Sequence, residues 1–145
     1  MSAVPPGFEL IEPYGQFHEM CGPMYVKLSD NGYIVGMLME EKHGNRGRNL
    51  HGGMVAMLID TAFTHSHRAL RTPPKPGVTV NLSIDMMSTA RPGDWLEVHV
   101  EAGRIGRTIA FLSCYVLNNG QRIARGSGVF QAIDRPAPAV PPASA

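Results

Sequence analysis

Asn45-Arg46-Gly47-Arg48-Asn49-Leu50-His51-Gly52-Gly53, running into Met54-Val55-Ala56-Met57-Leu58-Ile59-Asp60-Thr61-Ala62-Phe63, is the stretch whose reading decides the fold. A glycine pair opens an apolar helix expected from about Gly53 to Leu70. Apolar residues at 54, 55, 57, 58, 59, 62 and 63 surround its first half almost completely, a pattern that calls for burial on nearly every side. One carboxylate, Asp60, interrupts that run. Desolvating an ionised side chain is costly unless the charge is paired or used, so Asp60 is the first residue to explain.

Upstream, Met24 to Leu28 reads as a strand, Ser29-Asp30-Asn31-Gly32 as a hairpin turn, and Tyr33 to Met39 as the returning strand. Glu40 to Leu50 is a polar, Gly-rich loop. Downstream, Thr72-Pro73-Pro74-Lys75-Pro76-Gly77 ends the helix. Val78, Val80, Leu82, Ile84 and Met86 then alternate with Thr79, Asn81, Ser83 and Asp85, a strand period of two. Further strands are expected over Trp95–Ala102, Thr108–Leu117 and Arg122–Ala132. They are separated by the turn Arg91-Pro92-Gly93-Asp94, the basic turn Gly103-Arg104-Ile105-Gly106-Arg107 and the hairpin Asn118-Asn119-Gly120. The expected architecture is α+β, an antiparallel sheet of about six strands curled around one central helix. Residues 1–22 read as an irregular segment with room for a short turn of helix, 23–133 as the domain, and 134–145 as a disordered Pro/Ala-rich tail. The strand after the helix is a candidate edge, which would invite pairing with a second copy.

Composition narrows the partners. The chain has 145 residues, enough for one domain, and a formal charge of +1, which gives no case for nucleic acid or a membrane surface. Its two cysteines, Cys21 and Cys114, lie far apart with no metal-type spacing, so reduced thiols and a cytoplasmic setting are expected. No apolar run approaches 18 residues and no signal peptide is evident. His65 and His67, two apart on a helix, make a poor metal pair and read as ordinary residues near its exposed end. No cofactor is expected.

The order of elements, with Asn45, His51-Gly52-Gly53, Asp60 and Thr79 in register, resembles the hotdog-fold thioesterases, specifically their phenylacetyl-CoA-thioesterase-like (PaaI-like) branch. The resemblance spans roughly residues 24 to 132, and the turn from Gly103 to Thr108 looks like the family's strand-to-strand corner. It implies hydrolysis of an acyl- or aroyl-CoA thioester. Asp60 matches the acid that attacks the thioester carbonyl or activates water. Gly52 or Gly53 matches the backbone N–H that polarises the carbonyl, His51 and Asn45 the polar groups that orient it, and Thr79 a hydroxyl that helps hold the water. Arg104, Arg107 and Thr108 become candidates for binding CoA, and a homodimer or homotetramer is implied.

The residue types suit that chemistry independently. Free N–H groups and the positive end of a helix dipole stabilise the charge that develops on a carbonyl oxygen under attack. Glycine there lets substrate approach the backbone. A carboxylate serves as base or nucleophile, and apolar surroundings are expected to make it more basic. Spacing adds a constraint. Asp60 lies seven residues beyond Gly53, roughly 10.5 Å along the helix axis, whereas an attacking atom must come within about 3–3.5 Å of its carbon. A site shared between antiparallel helices of two subunits would resolve this.

Plainer readings stand beside each assignment. Asp60 could bond Thr61, Thr64 or a backbone amide, His51 could cap the helix, Asn45 could shape its loop, and Thr79 is a favoured strand residue. Met54, Met57, Met86 and Met87 read as core or as an adaptable acyl pocket. The competing functions are a hotdog-fold hydroxyacyl or enoyl thioester dehydratase-hydratase and a non-catalytic acyl-CoA-binding module.

Overall fold

The computed structural model describes residues 3–30 and 32–134. Along the chain run β1 (Glu9–Leu10), α1 (Gln16–Cys21), β2 (Tyr25–Ser29), β3 (Gly32–Leu38), a 3-10 turn (Glu41–His43), α2 (Gly52–Ala69), β4 (Gly77–Met86), β5 (Trp95–Ile105), β6 (Ile109–Asn118) and β7 (Gln121–Ala132). The strands form one antiparallel sheet in the order β1-β2-β3-β5-β6-β7-β4, with α2 packed against β3, β4, β5, β6 and β7. This is the hotdog arrangement. The sheet has seven strands rather than about six; the additional one is β1, whose two residues are too few to show a period. The expected tail lies outside the described residues from 135 onward.

Turn chemistry sets the register. Asn119 (φ 49°) and Gly120 (φ 82°) both take the left-handed backbone that a two-residue hairpin requires, and they join β6 to β7 with Asn118 opposite Gln121. The β2–β3 hairpin closes at Ser29 and Gly32, where the Ser29 hydroxyl donates to the Gly32 carbonyl at 2.9 Å.

The core lies between α2 and the inner face of the sheet, with Leu58, Ile59, Phe63, Leu96, Val98, Val116 and Phe130 fully buried. Close approach of helix to sheet depends on two glycines of β7. A Cβ on Gly128 would fall 2.7 Å from Phe63 Cδ2, and one on Gly126 would fall 3.2 Å from Ile59 Cδ1. Phe63 instead meets Phe130 edge-on, with ring centroids 6.1 Å apart. The expectation of burial on nearly every side of the helix is corrected here. Ala56, Met57, Asp60 and Thr64 form a half-buried stripe at helical spacing, because the sheet of one chain covers only the opposite side.

His67 is likewise not at an exposed end. It is fully buried against Phe130, and its Nε2 accepts from Arg71 Nε at 3.0 Å. Burial first, and the Arg71 charge second, push its pKa down to about 4. Burial also lowers His18, His43 and His65. A group with a depressed folded pKa binds its proton in the unfolded chain first as pH falls. The stability it contributes is therefore fully present above about pH 6.5 and is lost on the way down to pH 4. We expect the unfolding free energy to drop by on the order of 3 kcal/mol across that window from His67 alone. Urea denaturation at pH 7.5 and 4.5 measures it, and His67→Gln should flatten the dependence. An equally steep slope in that variant would refute the assignment.

Candidate active site

Asp60 lies on the half-buried stripe of α2, and Thr79 Oγ1 donates to its Oδ1 at 2.6 Å. No cation pairs with this carboxylate among the described residues. The charge is thus held by one hydroxyl, with Oδ2 free of donors among the described residues. A structural irregularity makes the pair possible. From Leu82 to Met86 the even-numbered residues of β4 register with Gly128, Gly126 and Ala124, which are buried on the helix side, and the odd-numbered ones face outward. Thr79, by the alternation read from sequence, would face outward too. The register slips between Thr79 and Asn81, leaving Val80 as an extra residue, and Thr79 instead pairs with buried Phe130. This β-bulge re-aims the hydroxyl at the helix.

The start of α2 is built by its own cap. His51 has extended backbone (φ −67°, ψ 133°), and its Nδ1 accepts the Gly53 N–H at 2.8 Å. An Nδ1 that accepts cannot carry the proton of a neutral imidazole, so Nε2–H is left as a donor on an exposed side chain. With Gly53 N–H committed, Gly52 N–H is left without an acceptor among the described residues at the helix start. Met86 of β4 covers this glycine: a Cβ there would lie 3.0 Å from the Met86 sulphur.

Asn45 is tied into its loop. Its Oδ1 accepts from Gly47 N at 2.9 Å and Asn49 N at 3.1 Å, leaving its NH2 as the group available to a ligand. One further residue, which carried no signal in sequence, supports this region. Buried His43 accepts the Glu40 N–H on Nδ1 (2.9 Å) and donates from Nε2 to the Cys21 carbonyl (2.7 Å). Its own carbonyl accepts the His51 N–H at 3.0 Å. Burial lowers its pKa, which keeps the ring neutral and these directions fixed.

Arg104, Arg107 and Thr108 are all exposed, but not as one group. A second slip, between Ala102 and Arg104, puts Arg104 opposite exposed Phe111 on the outer face of the sheet. Arg107 and Thr108 lie in the turn after β5, at the far end of α2 from Gly52, where Arg71 reaches the Gly106 and Arg107 carbonyls. Within one chain the structure joins Asp60 with Thr79, and His51 with Gly53. It does not bring Asp60, the helix start and the basic turn together. Asp60 is eight residues past Gly52, about 12 Å of helix rise.

Among the described residues no group of three or more His, Cys, Asp or Glu could hold a metal ion, and no helix is long and apolar enough to cross a membrane. Comparison with known proteins places this geometry in context. The family described as Thioesterase superfamily matches residues 47–124, a stretch containing His51, Gly52, Gly53, Asp60, Thr79 and the basic turn, with Asn45 just outside it. A Pseudomonas aeruginosa protein provisionally named as an esterase is 34% identical over 131 residues, covering 90% of this chain and 98% of its own. Acyl-coenzyme A thioesterase 13 of mouse is 35% identical over 95 residues, which is 64% of this chain and 67% of that protein. The crystal structure of zebrafish thioesterase superfamily member 2 superposes with a TM-score of 0.73 at 31% identity, over 82% of this chain and 87% of that one.

Proposed function

Because the chain belongs to the thioesterase superfamily, we propose that it hydrolyses an acyl- or aroyl-CoA thioester, with Asp60 as nucleophile or general base. The observation that carries this reading is the Asp60 carboxylate itself. It sits half-buried on the stripe with Ala56, Met57 and Thr64, held by Thr79 and, among the described residues, by no cation. A structural acid would be paired or fully hydrogen-bonded; this one keeps an oxygen for chemistry.

Gly52 N–H supplies the oxyanion donor, aided by the positive end of α2. His51 Nε2–H and the Asn45 amide offer further donors to the thioester. Attack forms a C–O bond at the carbonyl carbon and breaks the C–S bond. Sulphur leaves as thiolate and takes up a proton, and the oxygen of one water ends in the free acid. If Asp60 is the nucleophile, a mixed anhydride precedes the water step.

The site is shared between subunits. Its two halves lie about 12 Å apart on one helix, and two antiparallel helices across a two-fold axis would set Gly52 of each opposite Asp60 of the other. Two features support such an assembly. The uncovered stripe of α2 contains Ala56 and Met57, and β4 is a ten-residue edge strand with Val78, Val80 and Met86 exposed and exposed Met87 just beyond it. The assembly is a homodimer, or a homotetramer built from two of them.

Free-thiol release from a panel of aryl, medium-chain and branched CoA esters tests the activity. We expect hydrolysis of at least one class at a rate proportional to enzyme; no thiol from any ester would leave a binding module or a dehydratase-hydratase as the surviving readings.

A further inference from the structure

Arg71 follows the end of α2 and is buried, with 8% of its surface exposed. No carboxylate pairs with it among the described residues. It spends its donors on neutral acceptors: Nε on His67 Nε2 at 3.0 Å, and Nη1 on the carbonyls of Gly106 (2.8 Å) and Arg107 (3.2 Å). Nη2 is buried with no partner among the described residues. A buried cation without a counter-ion, carrying an unsatisfied N–H, is a poor way to gain stability, and an apolar side chain of similar volume is often better. What the arrangement does achieve is positional. It ties the β5–β6 turn, through two successive carbonyls, to the rigid end of the helix that carries Asp60.

We infer that Arg71 is a positioning residue for substrate: it fixes the Gly106–Arg107 turn so that Arg107 and Thr108 meet the phosphates of the CoA nucleotide. This rests on the reading of the chain as a CoA-ester hydrolase. In the antiparallel pair, α2 runs about 27 Å from Gly52 to its far end, so each turn is carried toward the partner's Asn45–Gly53 region. The nucleotide would then be held by one subunit while the other presents Gly52 N–H to the thioester. His67 orients Arg71 by accepting at Nε2, and its own burial against Phe130 keeps that acceptor in place.

The test compares one acyl group on CoA and on pantetheine, which has the thioester arm but lacks the nucleotide. Arg71→Met keeps the aliphatic stem and removes the carbonyl bonds. We expect KM for the CoA ester to rise about tenfold with kcat within about twofold, and both constants for the pantetheine ester to stay at wild-type values. Equal losses on both esters, or none on either, would overturn the inference. If Arg71→Met does not fold, Arg71→Lys takes its place, with amide exchange at Gly106 N–H, which bonds Ile109 O at 2.8 Å, as the second readout. Faster exchange there, with α2 amides unchanged, is the expected result; an unchanged Gly106 rate would overturn the clamp. Arg107→Ala separates the two layers of the argument. If that variant fails to discriminate CoA from pantetheine, the nucleotide role of the turn is wrong, whereas the exchange experiment still decides whether Arg71 holds it.

Discussion

Asp60→Asn is expected to lower kcat for thioester hydrolysis by about 10²–10⁴-fold, the range for losing a positioned base or nucleophile. The substitution is nearly isosteric. Asparagine still offers an oxygen to Thr79 Oγ1, which now donates to Asp60 Oδ1 at 2.6 Å. No cation among the described residues loses its counter-ion. Folding should therefore survive and KM should change little, so the loss falls on the chemical step. Single-turnover and steady-state assays at matched pH measure it. A variant as fast as wild type would remove Asp60 from the mechanism even if the activity stands.

Gly52→Pro is expected to cost about 10²–10³-fold in kcat, the scale of one lost oxyanion donor, with little change in melting temperature. The structure makes this substitution unusually clean. Gly52 is the first helical residue, where proline is favoured and its missing N–H breaks no helix bond. The residue before a proline must be extended, and His51 already is, at φ −67° and ψ 133°. A Cβ at this position meets only the flexible end of Met86. Because each variant spoils a different half of a shared site, mixing them after dissociation and reassembly should restore about a quarter of wild-type activity, since random pairing makes half the dimers mixed and each mixed dimer has one intact site. A mixture no more active than its parts would show that each chain completes its own site.

Much of this was legible in the sequence for physical reasons. The β strands announced themselves through alternation, and Asn119-Gly120 fixed a hairpin because few residues accept its backbone. Asp60 stood out as a charge in an apolar run. Other features left no trace. Arg71 after a helix end reads as a solvated charge favoured by the dipole, and nothing in its neighbours reveals that it turns inward to the Gly106 carbonyl 35 positions away. His67 is two residues from His65, yet one is fully buried and the other only half-buried. The apolar excess of α2 implies burial on nearly every side, whereas the sheet of one chain covers only part of it. On the shared-site proposal, that excess is the surface a second copy would cover.

The irregularity at Val80 acts on parity. On an even ribbon, odd and even numbers assign every residue to a face, and one additional residue inverts the rule for all that precede it. Val78 and Thr79 thus obey one convention and Leu82 to Met86 the opposite one. Exchanging the side chain of Val80, which is 57% exposed, leaves the convention alone. Removing the residue would restore a single rule along β4 and leave Thr79, now next to outward-facing Asn81, still opposite Phe130 and facing the helix, whereas straightening the bulge with Val80 in place would turn the Thr79 hydroxyl to the outer face. What the site requires of Val80 is therefore that it stay out of the alternation, more than any particular side chain, and the position's tolerance to substitution should be wide.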